Sequence, residues 1–415
     1  MKKKLIEVAL PLDAVNVACK ADKDRKTGSI RNLHKWFAPM PVPALRALIF
    51  AALVDDPDDD VKRDQLLLLI ERLVASVVEA PDPQILREAR ERVRASFAPD
   101  APPKVFDPFC GGGSTLVEAQ RLGLESVGSD LNPVPVLISR LLTQYAPKLR
   151  HRSGITPQQT TLGDGGAFAG FRADVRHYAA RIRGEAWSQL AQHYPAAPNG
   201  DPVSAWIWAR TVPSPDPRFR GAPTPLVTNW WLSKNRTMPT FVVPEVDRLE
   251  RKVTFHISQT GEPEPPAKTR CLFSDAPIDF EYIRKSGRAR ELGYQMVAFI
   301  GQSSSGRSYF APTSEQLDAA SSATPMNPPA EELPERALSF GVQAYGLRLW
   351  SELFTPRQLL MLETFADSAS LVTRWVIEDG GDAEYAQAIA ATLALCVGKL
   401  AQFSTELAVL DFRSS

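Results

Sequence analysis

The chain has 415 residues, 44% hydrophobic and 23% charged, ordinary globular values in a length sufficient for two or three cores. Its 48 basic and 48 acidic side chains cancel, so contact with nucleic-acid phosphate would have to come from a local cluster. No run of eighteen apolar residues argues for a membrane span, the basic start Met1 to Lys4 lacks the apolar stretch of a secretion signal before Asp13, and four scattered cysteines, Cys19, Cys110, Cys271 and Cys396, fit a reducing cytoplasm.

Residues 1–54 read as an N-terminal cap with a basic loop (Lys20, Lys23, Arg25, Lys26, Arg31) and an apolar helix from Val42 to Leu53. The acidic run Asp55 to Asp60, broken by Pro57, opens a helical insert over 55–100. Its pieces Gln65 to Leu73 and Gln84 to Phe97 read as an antiparallel pair joined at Pro81-Asp82-Pro83. Residues 101–205 hold a βαβ core over 101–145 and then a helix from Pro157 to Tyr194, with Phe171, Val175, Tyr178, Ala179 and Ile182 facing inward. From 206 to 300 the pattern changes to short β-prone pieces broken by prolines, such as Thr224 to Trp231 and Tyr294 to Ile300. A second basic cluster, Arg284, Lys285, Arg288 and Arg290, lies here. Such runs are more often solvated surface than ligand contacts. Residues 301–340, with Ser303-Ser304-Ser305-Gly306, read as a polar linker, and 341–415 as helices over Leu347 to Phe354, Pro356 to Ala369 and Glu384 to Leu410. The last carries an apolar stripe from Ala386 through Ile389, Leu393, Cys396 and Leu400 to Leu407, a face that needs a core or a partner.

The chemistry concentrates at residues 105–115, Val-Phe-Asp-Pro-Phe-Cys-Gly-Gly-Gly-Ser-Thr. The short apolar run before Asp107 suits a buried parallel strand, and Thr115 to Leu122 has helical spacing. Glycines between them let a ligand approach backbone N–H groups. Gly123 ends the helix, Ser126 to Ser129 reads as the second strand, and Asp130 follows Asp107 by 23 residues, where a ribose diol is usually held. A nicotinamide dinucleotide would use the same architecture. It fits poorly, because Leu116 stands where the fingerprint needs a third small residue and Asp107 would repel a pyrophosphate. A carboxylate suits a guest with a positive amino group and a sulfonium, as in S-adenosylmethionine. Cys110 has no local histidine to activate it and reads as a small apolar filler.

The run Asp107 to Thr115 resembles the cofactor motif of the DNA amino-methyltransferases, and Asp130-Leu131-Asn132-Pro133 is similar to that family's ribose-binding acid with its following Leu-Asn-Pro. Leu33 to Pro41, with His34 and Trp36, resembles the segment that covers the methionine end of the cofactor there. More narrowly, Leu10 to Asn16 and Phe354 to Leu359 are similar to the large bacterial zinc-ribbon-containing adenine-specific methylases, which carry an N-terminal domain of unknown function and travel with phage-defence genes. The resemblance implies an α/β, Rossmann-like methyltransferase core with a helical insert, a degenerate β-ribbon region and C-terminal helices. It implies S-adenosylmethionine held by Asp107, Pro108, Phe109, Cys110, Gly111, Gly113, Ser114, Asp130, Asn132, His34 and Trp36. It also implies a cytoplasmic DNA partner of restriction-modification type.

Two parts of that family's pattern depart. The zinc ribbon keeps its landmarks at Pro225 to Ser233 and Tyr282-Ile283-Arg284, but its knuckles read Ser214 to Phe219 and Cys271 to Ser274. One thiol cannot replace four donors, so no structural zinc is expected, and Trp230, Trp231 and Phe273 are expected to hold the region instead. The catalytic Asp/Asn-Pro-Pro-aromatic motif is not found either. Pro102-Pro103 follows alanine, Pro265-Pro266 follows glutamate, and Asn327-Pro328-Pro329-Ala330 lacks a ring and sits in a loop-like stretch. The chain therefore reads as the cofactor-binding portion of a methylase, inactive alone, either truncated or completed by a second subunit; a non-catalytic DNA- or cofactor-binding remnant is the alternative.

Overall fold

The computed structural model describes residues 2–37, 39–75, 81–157, 166–304, 306–336 and 341–407. It is a mixed α/β protein. In chain order the elements are α1 (Leu12–Asp24), α2 (Val42–Leu53), α3 (Asp60–Ala75), α4 (Pro83–Ala95), β1 (Lys104–Asp107), α5 (Ser114–Arg121), β2 (Glu125–Gly128), α6 (Pro133–Arg140), α7 (Ala146–Leu149) and α8 (Ala169–Leu190). There follow β3 (Val203–Pro213), β4 (Pro223–Leu226), β5 (Trp231–Ser233), β6 (Thr240–Asp247), β7 (Lys252–Ser258), α9 (Phe280–Arg288), β8 (Gly293–Ser303), β9 (Gly306–Phe310), α10 (Ser314–Ser321), α11 (Pro356–Ser370), α12 (Val372–Glu378) and α13 (Ala383–Phe403). Residues separate into two compact units, Met1–Ala180 with Ala369–Lys399, and Arg181–Ser368 with Leu400–Ser415.

In the first unit, α2 is apolar almost all round, and it lies at the centre of a core shared with α1, α3, α4 and α5. Phe50, Leu69, Ile70, Leu73 and Ala119 are buried there, and Val105 of β1 packs against them. One charged pair crosses this core. Arg46 of α2 donates from Nε to Glu118 Oε2 at 2.6 Å and from Nη1 to the Leu73 carbonyl at 2.8 Å, and both side chains of the pair are fully buried. Arg121 also pairs with Glu118. The helical insert is thus tied to the helix that follows the glycine loop.

Strands β1 and β2 pair in parallel, Phe106 opposite Val127 and Asp107 opposite Gly128. One face is packed: a Cβ on Gly128 would come within 2.6 Å of Leu116 on α5. That contact explains the leucine that departs from the dinucleotide fingerprint, since the small residue stands on the strand instead of the helix. The opposite face is bare, with Phe106 65% and Val127 51% exposed, whereas parallel sheets are normally covered on both faces.

The second unit is built on a four-stranded sheet in the order β4-β3-β8-β9 and a three-stranded antiparallel sheet β5-β6-β7. Trp230, Phe273 and Cys271 are buried between them with Val242, Val253 and Ala298, and Trp231 lies edge-on to Phe241 at 5.3 Å. The segments Ser214 to Phe219 and Cys271 to Ser274 meet, with Ser214 Oγ 3.1 Å from Cys271 Sγ. No group of three or more metal-ligating side chains occurs among the described residues.

Several expected boundaries shift. The stretch read as a linker holds the end of β8, strand β9 and helix α10, because Phe310 stacks on Phe299 at 5.3 Å and Ala319 is buried; Ser305 lies outside the described residues. The helix expected from Pro157 starts at Ala169, with residues 158–165 outside the described ones, and Tyr178 is buried as expected. Leu347 to Phe354 forms only a 3-10 turn, Trp350–Leu353. Helix α13 ends at Phe403, with Leu410 outside the described residues, and its stripe is buried at Ala386, Ile389 and Leu393 but not at Cys396. This helix is the one long and apolar enough to cross a membrane among the described residues. Tyr385, Ala388, Ala391 and Leu395 are buried in the protein core too. All four cysteines are free.

Candidate cofactor site

The site forms where β1 and β2 end side by side. Asp107 is the last residue of β1, and Asp130 stands two residues beyond β2. Between β1 and α5 the loop turns twice through the left-handed region, at Gly111 (φ 49°) and Gly113 (φ 81°), which glycine adopts without a Cβ penalty. Gly113 has a second reason to be glycine. A Cβ there would lie 2.8 Å from Ser139 Oγ and 3.1 Å from Ser139 Cα, so α6 closes against the loop.

Both carboxylates hold the loop. Asp107 Oδ1 accepts from the Phe109 N–H at 3.1 Å. Asp130 Oδ2 accepts from the Gly111 N–H at 3.0 Å, and its Oδ1 from the Asn132 N–H at 3.0 Å. Each carboxylate oxygen has more than one acceptor site, so these bonds leave room for a ligand's donors. Helix α5 begins with no side-chain cap, and its first N–H groups point toward the same loop. Phe109, 86% exposed, and Leu131, fully exposed, stand at the mouth.

Cys110 is buried beneath the loop. Burial pushes its thiol pKa up, the Ser139 hydroxyl pulls it down, and the charges of Asp107 and Asp130 both push it further up. The two acids therefore act on one common point, and the cysteine is held as an unreactive thiol.

The other expected residues divide. Trp36 reaches the loop: a Cβ on Gly111 would lie 3.6 Å from its Cδ1, so the indole covers that glycine, with Phe37 edge-on at 5.2 Å. His34 does not. Its ring lies against Gly398 of α13, and its Nδ1 is 2.9 Å from the Lys35 carbonyl. Pro108 accepts at its carbonyl from Ser129 Oγ at 3.0 Å, Ser114 opens α5, and Asn132 caps α6 by accepting from the Val134 N–H at 2.9 Å. Ser139, missed in the sequence, donates to the Gly111 carbonyl at 2.9 Å; nothing in Leu-Ile-Ser on an apolar helix marks it.

The basic clusters are partly neutralised. Arg31 pairs with Asp22, Arg284 and Arg288 with Glu281, and Arg290 with Glu352. Lys20, Lys23 and Lys26 are exposed. The Asn327 loop is exposed as well, tied to Glu363 through its backbone and side-chain nitrogens.

Residues 9–87 match a family described as a protein of unknown function (DUF1156). The match covers α1 to α3 and the start of α4, the segment that packs behind the glycine loop. No curated protein and no solved structure matches the chain.

Proposed function

We propose that this chain is the S-adenosylmethionine-binding portion of a DNA amino-methyltransferase, with a Rossmann-like core and adenine N6 as the target. The observation that carries the reading is the pair of acids at the ends of two adjacent parallel strands, flanking a loop of left-handed glycines roofed by Trp36. Such crevices beyond the carboxyl ends of parallel strands are where open α/β sheets take ligands. The donor set fits a cationic guest, since the loop offers two carboxylates and no basic side chain.

Asp130 would hold the ribose hydroxyls, Asp107 the charged amino-acid end, and the Trp36 indole one flank. When bound, S-adenosylmethionine supplies an electrophilic methyl group. The chain's own residues orient it, and alignment with the target amino nitrogen is the main source of rate in such a transfer. The aromatic motif that activates and stacks on the target base comes from another polypeptide segment. The bare Phe106 and Val127 face and the pairing of only two strands here among the described residues support that reading, since three or more strands are normally needed for a stable sheet. A cytoplasmic setting in restriction or phage defence, and DNA contact through Lys20, Lys23 and Lys26, belong to the same proposal.

Transfer of tritiated methyl groups to DNA tests it. The chain alone is expected to give none, and the chain with a co-purified subunit bearing an Asp-Pro-Pro-aromatic motif is expected to give transfer to adenine. Robust transfer by the isolated chain would overturn the assignment of the catalytic motif to another segment. A reconstituted pair that labels nothing would overturn the methylase reading.

A further inference from the structure

The second unit has a cleft of its own. Trp206, Trp208 and Arg210 stand at alternate positions on β3, and Tyr294 of β8 is opposite Arg210 in register. Trp206 is already committed: its Nε1 donates to Gln316 Oε1 at 2.7 Å, and the Arg357 guanidinium lies 4.1 Å from its ring. Trp208 is different. It meets Tyr294 edge to face, with centroids 5.4 Å apart and planes at 80°, and Tyr294 is 45% exposed.

Two adjoining cavities, of about 260 and 300 Å³, share Trp208, Tyr294 and Thr355 as walls. Gln358 and Glu406 close the first, and Pro356 and Leu317 line the second. A flat aromatic guest suits walls of this kind, because any heteroaromatic ring has a π-face to stack. The polar end narrows the choice. Gln358 Oε1 accepts from the Thr355 N–H at 2.8 Å, which turns its amide NH2 away as a donor. Glu406 pairs with Arg210 through Oε2, and its other oxygen is an acceptor. The pair cancels in charge, and Arg357, which lines the second cavity, lies over the Trp206 ring at 4.1 Å and donates to the His193 carbonyl, so the cleft offers little to a phosphate. Burial pushes the Glu406 carboxyl pKa up against the opposing pull of Arg210, and the Glu406 side chain is 16% exposed.

We propose that this cleft binds an uncharged adenine-type base, stacked on Trp208 and Tyr294, with its exocyclic amine donating to Glu406 and a ring nitrogen accepting from Gln358. The site is distinct from the glycine loop, and the proposal stands whether or not that loop takes S-adenosylmethionine. A glutamine amide and a carboxylate together distinguish an amine from a carbonyl at the same ring position, because the carboxylate accepts from the first and repels the second.

Adenosine and inosine are titrated calorimetrically into the full chain carrying Asp107→Ala with Asp130→Ala, which removes the acids that would hold a ribose at the glycine loop, and into the same chain with Trp208→Ala, Trp208→Phe or Gln358→Leu added. Adenosine is expected to bind, inosine at least tenfold more weakly, a difference of about 1.4 kcal/mol. Read in the double aspartate background, Trp208→Ala and Gln358→Leu are expected to lose at least tenfold and Trp208→Phe to keep most of the affinity. The proposal is overturned by absence of adenosine binding to the folded double aspartate variant at millimolar concentration, by equal binding of inosine, or by undiminished binding when Gln358→Leu is added. Since Trp208→Phe and Gln358→Leu keep the cleft filled, misfolding of Trp208→Ala alone does not decide the matter.

Discussion

Removing Arg46 should destabilise the first unit selectively. The guanidinium and the Glu118 carboxylate are both fully buried and 2.6 Å apart, and breaking one half of such a pair costs about 3–5 kcal/mol because the other charge is left in a dry interior. After Arg46→Met, Glu118 keeps Arg121 as a partner, which places the loss near 3 kcal/mol. After Glu118→Ala, a wholly buried guanidinium loses its carboxylate, which places the loss nearer the upper end. The double variant Arg46→Met with Glu118→Leu removes both charges and should recover most of the stability. Hydrogen exchange read on peptides from Val42–Leu53 and Ser114–Arg121 measures this in the first unit without interference from the second. A cost below about 1 kcal/mol for Arg46→Met, or a double variant no better than the singles, would refute the burial argument.

Gly113→Ala should cost about 2–4 kcal/mol, combining left-handed strain of about 1–2 kcal/mol with overpacking against Ser139; urea unfolding of the variant checks it, and a change within about 0.5 kcal/mol would show that α6 does not close on the loop. Asp382 has its pKa lowered by the Tyr385 backbone N–H first and by Arg152 next. Because its folded value lies below the ordinary 3.8, its contribution is present above that pH and lost as pH falls further. Acid titration of stability should therefore be shallower in Asp382→Asn, and identical slopes would contradict the bond from the Tyr385 N–H to the Asp382 carboxylate. Burial leads the upward shift of the Cys110 thiol, so labelling with a thiol reagent at pH 8 should leave Cys110 unmodified until the chain unfolds; rapid labelling in the folded chain would show the loop to be open beneath.

The parts legible in the sequence were those with local causes. Helix α2 has the expected bounds because it is apolar almost all round and flanked by Pro41 and the acidic run, and β1, the glycine loop and β2 follow from Pro103, Asp107, Gly111 and Gly123. Where partners distant in sequence decide, the sequence was mute. Strand β9 and helix α10 look like linker until Phe310 finds Phe299 and Gln316 finds Trp206. Helix α9 reads as a basic cluster until Asp279 caps it, accepting from the Tyr282 N–H at 2.7 Å, and Glu281 neutralises its arginines. In the site, Trp36 reaches Gly111 while His34, two residues earlier, turns to Gly398, a division that no spacing announces. The Trp208 and Tyr294 cleft likewise depends on strand pairing across about ninety residues.

Titration of the intact chain with S-adenosylmethionine by calorimetry goes to the centre of the proposal. Saturable binding at one site is expected, weakened at least tenfold in Asp130→Ala and in Asp107→Ala, in keeping with about 1.5–3 kcal/mol for a hydrogen bond to a charged group. A folded chain that shows no binding, or aspartate variants that bind as tightly as the parent, would mean that the two acids only brace their own loop.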